Sequence, residues 1–138
     1  MVYHDEGNLN WSFFLRSGGS FVAPTTAFRS ASKYVVAALG RLGVKAEFSP
    51  PNRIDVSGRK VSGMAARSTV KTLLVHGTLL VNSDLEMLNR LCIPPPGCPP
   101  VSNLRDWVRD VTTDEVVGQI LKVLTDSDFE VRMAVWET

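Results

Sequence analysis

Trp11, Phe13 and Leu15 alternate with Asn10, Ser12 and Arg16, the period of two that turns one face of a β-strand toward a core. Phe14 interrupts the alternation, as expected of a strand covered on both faces, and Gly18-Gly19 supplies a turn to end it. From Thr26 the period lengthens. Phe28, Ala31, Val35, Ala38, Leu39 and Leu42 mark one helical stripe, and Gly43 stops it. Val44, Ala46 and Phe48 predict a short strand, Ser49-Pro50-Pro51-Asn52 a loop, and Ile54-Asp55-Val56 a strand closed by the turn pair Ser57-Gly58. Lys60 therefore opens the return arm of a hairpin.

Leu73 to Val81 is apolar and β-prone apart from His76-Gly77-Thr78 at its centre, where a glycine marks a bulge or a close approach of something, a ligand included. Leu85, Leu88 and Leu91 predict a short helix, and the prolines from Pro94 to Pro100 prevent its continuation. Thr112-Thr113-Asp114-Glu115 is a capping box followed by Val116, Val117, Ile120, Leu121 and Leu124 on one helical face. Phe129, Val131, Met133 and Val135 alternate with polar or small residues and predict a terminal strand. This order of elements predicts an α+β fold, a mostly antiparallel β-sheet packed with helices, with residues 1–138 as a single domain.

Composition narrows the possibilities. Fifteen Lys and Arg against 14 Asp and Glu leave a formal charge of +1, which gives no electrostatic reason to expect nucleic acid as a partner. The hydrophobic fraction of 44% with 21% charged residues is that of a globular chain. Runs such as Val35 to Leu39 are far shorter than the roughly 20 residues of a membrane span, so no membrane association is expected. Met1 to Glu6 has no basic stretch leading into an apolar one, and the cytoplasm is the expected compartment. Cys92 and Cys98 flank Ile93-Pro94-Pro95-Pro96-Gly97 and read as idle loop thiols, since two cysteines make no zinc site by themselves. No metal site is expected.

The unusual residues gather between Asn52 and Thr78. Lys60, in Gly58-Arg59-Lys60-Val61-Ser62-Gly63, reads either as an exposed hairpin lysine, the commoner case, or as a cation reaching over open backbone to a phosphate or a developing oxyanion. His76 reads either as a core histidine bonded to backbone or as a site residue. His4-Asp5 is equally ambiguous, and Met64 reads as packing. Walker and dinucleotide loops, a His-Glu-x-x-His helix and a nucleophile elbow are all absent from the sequence.

Four segments in order carry a resemblance: Val2-Tyr3-His4-Asp5-Glu6-Gly7-Asn8-Leu9-Asn10, Asn52 leading into Gly58-Arg59-Lys60-Val61-Ser62-Gly63-Met64-Ala65, His76-Gly77-Thr78-Leu79-Leu80, and Val101-Ser102-Asn103-Leu104. Together they closely resemble the lipoate-protein ligases, over nearly the whole chain. The resemblance implies the biotin/lipoate ligase catalytic fold. It also implies a two-step reaction in which ATP, with magnesium, activates lipoate or octanoate as an acyl-adenylate, and a lysine of a lipoyl-domain acceptor protein then takes the acyl group. No tightly bound cofactor is implied.

On that resemblance Lys60 matches the essential lysine, set against the carboxylate and the α-phosphate. Asn52 corresponds to the polar residue before the hairpin. Gly63 and Ala65 leave room for the acyl chain, and Gly77 and Thr78 line the same tunnel. His4 and His76 stand at its polar mouth, with Val2 and Tyr3 ending the adenylate loop. Lys60, His76 and Asn52 are accordingly expected in one cavity.

Three departures stand beside these matches. The family's Arg-x-x-Gly-Gly-Gly loop belongs upstream of Val2, so the chain is expected to correspond to the C-terminal portion of a catalytic domain, completed by a separate N-terminal chain or by self-association. Arg53 stands where an acidic residue usually follows Asn52, and prolines 94–100 replace a loop that usually holds Arg and Ser. Two other readings are a transferase that takes an octanoyl or lipoyl group from a carrier without ATP, and a non-catalytic homologue that binds a partner ligase or a lipoyl domain. Phe48-Ser49-Pro50-Pro51 lacks the cysteine that one transferase branch carries before this hairpin.

Overall fold

The computed structural model describes residues 3–132. Its elements run β1 (Asn8–Arg16), α1 (Pro24–Arg41), β2 (Ala46–Ser49), β3 (Arg53–Val56), β4 (Arg59–Ser68), β5 (Thr72–Leu80), α2 (Leu85–Leu91), a 3-10 turn (Leu104–Asp106) and α3 (Thr113–Asp126). The five strands form one sheet in the order β1-β5-β4-β3-β2, and every neighbouring pair is antiparallel. Helices α1 and α3 pack against each other, and α1 lies across β2, β3, β4 and β5. The α+β architecture expected from the periodicities is thus the one observed.

The core lies between the sheet and α1. Ala27, Phe28, Ala31, Val35, Ala38 and Leu39 are buried along the predicted stripe of α1. They meet Trp11, Ile54, Val56, Val61, Met64, Leu73, Val75 and Leu79 from the strands. Each fully buried aliphatic side chain here contributes about 1.5–3 kcal/mol from removal of apolar surface. Pro24 opens α1, where a missing N–H costs nothing, and Gly43 follows its end with φ +84°. Thr112 and Glu115 form the reciprocal cap of α3, Glu115 N–H donating to Thr112 Oγ1 (3.2 Å) and Thr112 N–H to Glu115 Oε2 (2.8 Å). Ser57 and Gly58, at φ +48° and +75°, make the two-residue turn between β3 and β4.

Two sequence expectations are corrected. β1 is not covered on both faces among the described residues: Phe14 is 76% exposed, while Trp11 faces the core. Nor do residues 129–132 form a strand; Phe129 instead sets its ring edge against Tyr34, with centroids 5.5 Å apart. The remainder of that expected strand, Met133 and Val135, lies outside the described residues, as does Val2. Among the described residues no helix is long and apolar enough to cross a membrane.

Candidate functional site

One irregularity in the sheet decides where Lys60 points. Asp55 pairs with Lys60 and Ile54 with Ser62, so Val61 is an extra residue on β4. Val61 and Ser62 are both buried in consequence, and the inside-outside parity of the strand reverses at that point. Strict alternation would put Lys60 on the same face as Ser62 and the buried Met64. The bulge moves it to the opposite face, with Gly63 and Ala65, where the sheet carries no helix of the α1 layer. Gly63 completes the arrangement: a Cβ there would stand 3.1 Å from both Cε and Nζ of Lys60.

Lys60 is also held through its backbone. Its N–H donates to the carbonyl of Pro100 (2.9 Å), and its carbonyl accepts from Ser102 N–H (2.9 Å), a one-residue parallel bridge to Val101. Arg59 donates from Nη2 to the Val101 carbonyl (3.0 Å). The proline segment is thereby stitched along β4 as a strap. Beneath it lies a cavity of about 330 Å³, with Lys60, Ser62, Gly63 and Thr78 on its floor, Leu80 and Leu88 at one side, and Pro94, Pro95, Pro99 and Pro100 in the strap. Tyr3, Asn8, Cys92 and Cys98 also line it. Neither cysteine is in a disulfide.

The electrostatics leave the ammonium of Lys60 available. Asp55, directly across the ladder and buried, would be its natural counter-ion. Arg53 takes that carboxylate instead, its Nε donating to Oδ1 (3.1 Å) and Oδ2 (2.9 Å). No carboxylate pairs with Lys60 among the described residues. Asn8, which lines the cavity, has its Oδ1 buried without a hydrogen-bond partner among the described residues. The Asn8 amide is oriented by its Nδ2, which sits 2.8 Å from His4 Nδ1 and donates to Asn10 Oδ1 (3.0 Å).

At the cavity edge Asp5 ties the N-terminal segment to α2. It accepts from Tyr3 Oη (3.1 Å), Gly7 N–H (3.0 Å) and Asp84 N–H (2.7 Å), while Asp84 caps α2 by accepting from Met87 N–H (2.9 Å). Burial disfavours ionisation of Asp5, but these donors outweigh it and hold the carboxyl below its ordinary range. Burial, followed by the bond to Asp5 and the charges of Asp5 and Asp84, pushes the Tyr3 phenol up.

The residues expected in one place divide. Lys60, Gly63, Thr78 and Tyr3 do share the cavity. His76 and Asn52 do not line it, which corrects the expectation that they join Lys60 there. His76 is exposed, opposite Ala65 in the ladder, farther along the same open face. Asn52 clasps β4 from outside, its Nδ2 donating to the Met64 carbonyl (2.8 Å) and its carbonyl accepting from Met64 N–H (2.8 Å). His4 reaches the site through its bond to Asn8.

Gly77 is turned to the other face. A Cβ there would meet the Trp11 ring at 2.5 Å, so the close approach foreseen from this glycine is that of Trp11, its cross-strand neighbour. Asn8, Ser62, Leu80 and the two cysteines are cavity residues that sequence reasoning did not single out. Ser62 pairs with the core residues Ile54 and Leu79, so its buried side chain is on the face opposite Lys60. The one signal for Asn8 was its position inside the N-terminal motif.

Known proteins place this geometry in context. Residues 1–125 match the model of the lipoyl protein ligase A/B catalytic domain. Lipoate-protein ligase 1 of Staphylococcus aureus is 34% identical over 154 aligned positions, which take in 94% of this chain and 45% of that protein. A bi-partite lipoate protein ligase from Thermoplasma acidophilum superposes with a TM-score of 0.81 at 28% identity, over 97% of this chain and 57% of that one. A lipoate-protein ligase A bound with ATP gives 0.79 at 29%, over 91% and 54%. The chain thus spans about half the length of these relatives. With a match over most of its length and the same fold, the chain belongs to the lipoyl protein ligase A/B catalytic domain family.

Proposed function

We propose that this chain holds the lysine-bearing part of a site that activates lipoate, or octanoate, with ATP and passes the acyl group to a lysine of a lipoyl domain. The observation that carries the reading is the unpaired Lys60 ammonium lying across Gly63 on the floor of a cavity with apolar walls. A medium-chain carboxylic acid has the matching chemistry, an anionic head and an apolar tail. In the first step a carboxylate oxygen attacks the α-phosphorus of ATP, and pyrophosphate leaves. In the second the acceptor amine attacks the acyl carbon, and AMP leaves. Lys60 holds the carboxylate and the α-phosphate together and offsets the charge that builds in both steps.

Asn8 Oδ1 accepts a hydrogen bond from the polar part of the adenylate, while Leu80, Leu88 and the prolines exclude water from the tail. The relatives support the substrates: one is a ligase bound with ATP, and another belongs to a lipoylation system with an E2 lipoyl domain and is itself bi-partite. A lipoyl-domain acceptor in the cytoplasm is the partner this reading requires. For magnesium the described residues offer no holder, since Asp55 is engaged by Arg53 and no three His, Cys, Asp or Glu side chains gather elsewhere. No step is assigned to a metal.

ATP/pyrophosphate exchange with lipoate, octanoate or biotin in turn, in an assembly containing this chain, tests the reading. Exchange with lipoate or octanoate that disappears in Lys60→Ala is the expected result. Exchange that survives the substitution overturns the role of Lys60.

A second reading draws on Cys92 and Cys98, which share the cavity with Lys60. In an ATP-independent transferase a thiolate there attacks the thioester carbonyl of an acylated carrier, the carrier thiol leaves, and the acceptor amine then displaces the enzyme's sulfur. Acyl transfer from such a carrier without ATP, abolished by Cys92→Ser or Cys98→Ser, would favour it.

A further inference from the structure

We infer that Cys92 and Cys98 exchange with the cyclic disulfide at the tail of a bound lipoate, holding it in the cavity as a reversible mixed disulfide. The inference rests on the proposed function and adds to it a reason for the site to favour lipoate over octanoate, whose tail has no sulfur. Both cysteines line the cavity that holds Lys60, and neither is in a disulfide. They are half-buried at the two ends of a segment whose intervening residues, 93–97, are exposed. Local structure fixes each of them. Cys92 ends α2, its N–H donating to the Leu88 carbonyl (2.9 Å), directly after the helix turn that carries Leu88 to the cavity wall. Cys98 closes a turn: its N–H donates to the Pro95 carbonyl (3.1 Å), with Pro96 and Gly97 (φ +77°) at the central positions, the residues that a type II turn demands. Two positions further on, Pro100 accepts from Lys60 N–H. The two thiols and the ammonium thus belong to one frame.

A lipoate whose carboxylate is seated on Lys60 keeps its dithiolane inside the same chamber of about 330 Å³. A thiolate of Cys92 or Cys98 attacks one dithiolane sulfur. The ring S–S bond breaks, a new S–S bond joins the cysteine to the lipoyl chain, and the other lipoyl sulfur leaves as a thiolate that takes the proton the cysteine gave up. One disulfide replaces another, so no outside oxidant or reductant enters. Ring closure by the released thiolate is the reverse step and frees the ligand. The carboxylate takes no part in the exchange, so its activation and transfer proceed with the tail held or free.

The test is made on the full chain, reduced, freed of reductant and incubated with lipoate in the absence of air. An acid quench then stops the exchange by protonating the thiolates. Intact-mass and peptide-mass measurements should find one lipoate on Cys92 or Cys98, removed by a phosphine reductant, which would leave an acyl thioester in place. Octanoate should leave no adduct, and Cys92→Ser/Cys98→Ser should form none with lipoate. Lys60→Ala, which no longer seats the carboxylate, should lose most of it. In calorimetry the double serine variant should lose the parent chain's preference for lipoate over octanoate. Lipoate that binds by calorimetry without forming the adduct would overturn the inference and leave the proposed function standing, whereas a chain that binds no lipoate would overturn both. An adduct yield no greater than that with glutathione disulfide, or one unchanged in Lys60→Ala, would also overturn the inference, since thiols open to solvent react in that way without a seated ligand.

Discussion

The Lys60 side chain lies across Gly63, close enough that a single methyl group there would stand 3.1 Å from its Nζ. The glycine is a seat for the lysine, and its hydrogen is what lets the ammonium stay over the cavity floor.

Gly63→Ala should therefore displace Lys60 without unfolding the sheet, since the far end of a flexible side chain can move. The expected outcome is an unfolding free energy within about 1 kcal/mol of the parent chain and weaker lipoate binding by calorimetry.

Lys60→Ala should separate function from stability more sharply. Among the described residues the ammonium has no carboxylate partner to lose, so denaturant midpoints should barely move. In an assembly that forms the adenylate, turnover should fall by about 10²–10³-fold or more, the scale for one lost donor to a developing anion. Lys60→Arg should not restore it, because a planar guanidinium cannot replace a compact ammonium in that seat.

Arg53→Ala tests whether Arg53 keeps Lys60 unpaired. Removing it leaves the buried Asp55 carboxylate facing Lys60 across the ladder. The expected result is a stability loss of about 1–3 kcal/mol together with weaker lipoate binding, as Lys60 turns to Asp55. Asp55→Asn in the same chain should restore the binding, which a merely structural defect would not allow.

Gly77→Ala should be the most destabilising of these changes. Its Cβ would meet the Trp11 ring at 2.5 Å and the Gly63 carbonyl at 3.0 Å, inside a closely packed core. A loss of about 1–3 kcal/mol or more is expected in chemical denaturation, with any effect on lipoate binding following from unfolding alone.

Asp5 governs the acid limb of stability. Its folded-state carboxyl titrates below its unfolded value, so its contribution is complete above the ordinary carboxylate range near pH 3.9. It disappears as the pH falls through the lower folded-state value. Thermal midpoints recorded downward from about pH 6 should drop less steeply for Asp5→Asn than for the parent chain, the variant starting lower at neutral pH.

Much of the fold was legible because it is encoded locally. The stripe from Phe28 to Leu42 and the Thr112–Glu115 cap each sit within one element, and both helices lie where they predict. The site was less legible. The bulge at Val61 turns Lys60 onto the cavity floor, yet it arises from register across two strands, which no window of β4 reveals. Gly77 could be recognised as a point of close approach, but what approaches is Trp11, more than 60 positions earlier in the chain. Phe14 misled for the same reason: its extra apolar position suggested a second covered face, where the single chain leaves the ring in solvent.

The bridge between Lys60 and the strap makes the cavity wall and its cation one mechanical unit. Because Pro100 and Ser102 grip the peptide groups of Lys60 itself, the strap cannot swing outward to admit a bulkier guest without dragging the Lys60 ammonium out of register. Leu80 and Leu88 line the same cavity without taking part in that bridge, so a larger or smaller residue at either resizes the chamber while the ammonium stays in place.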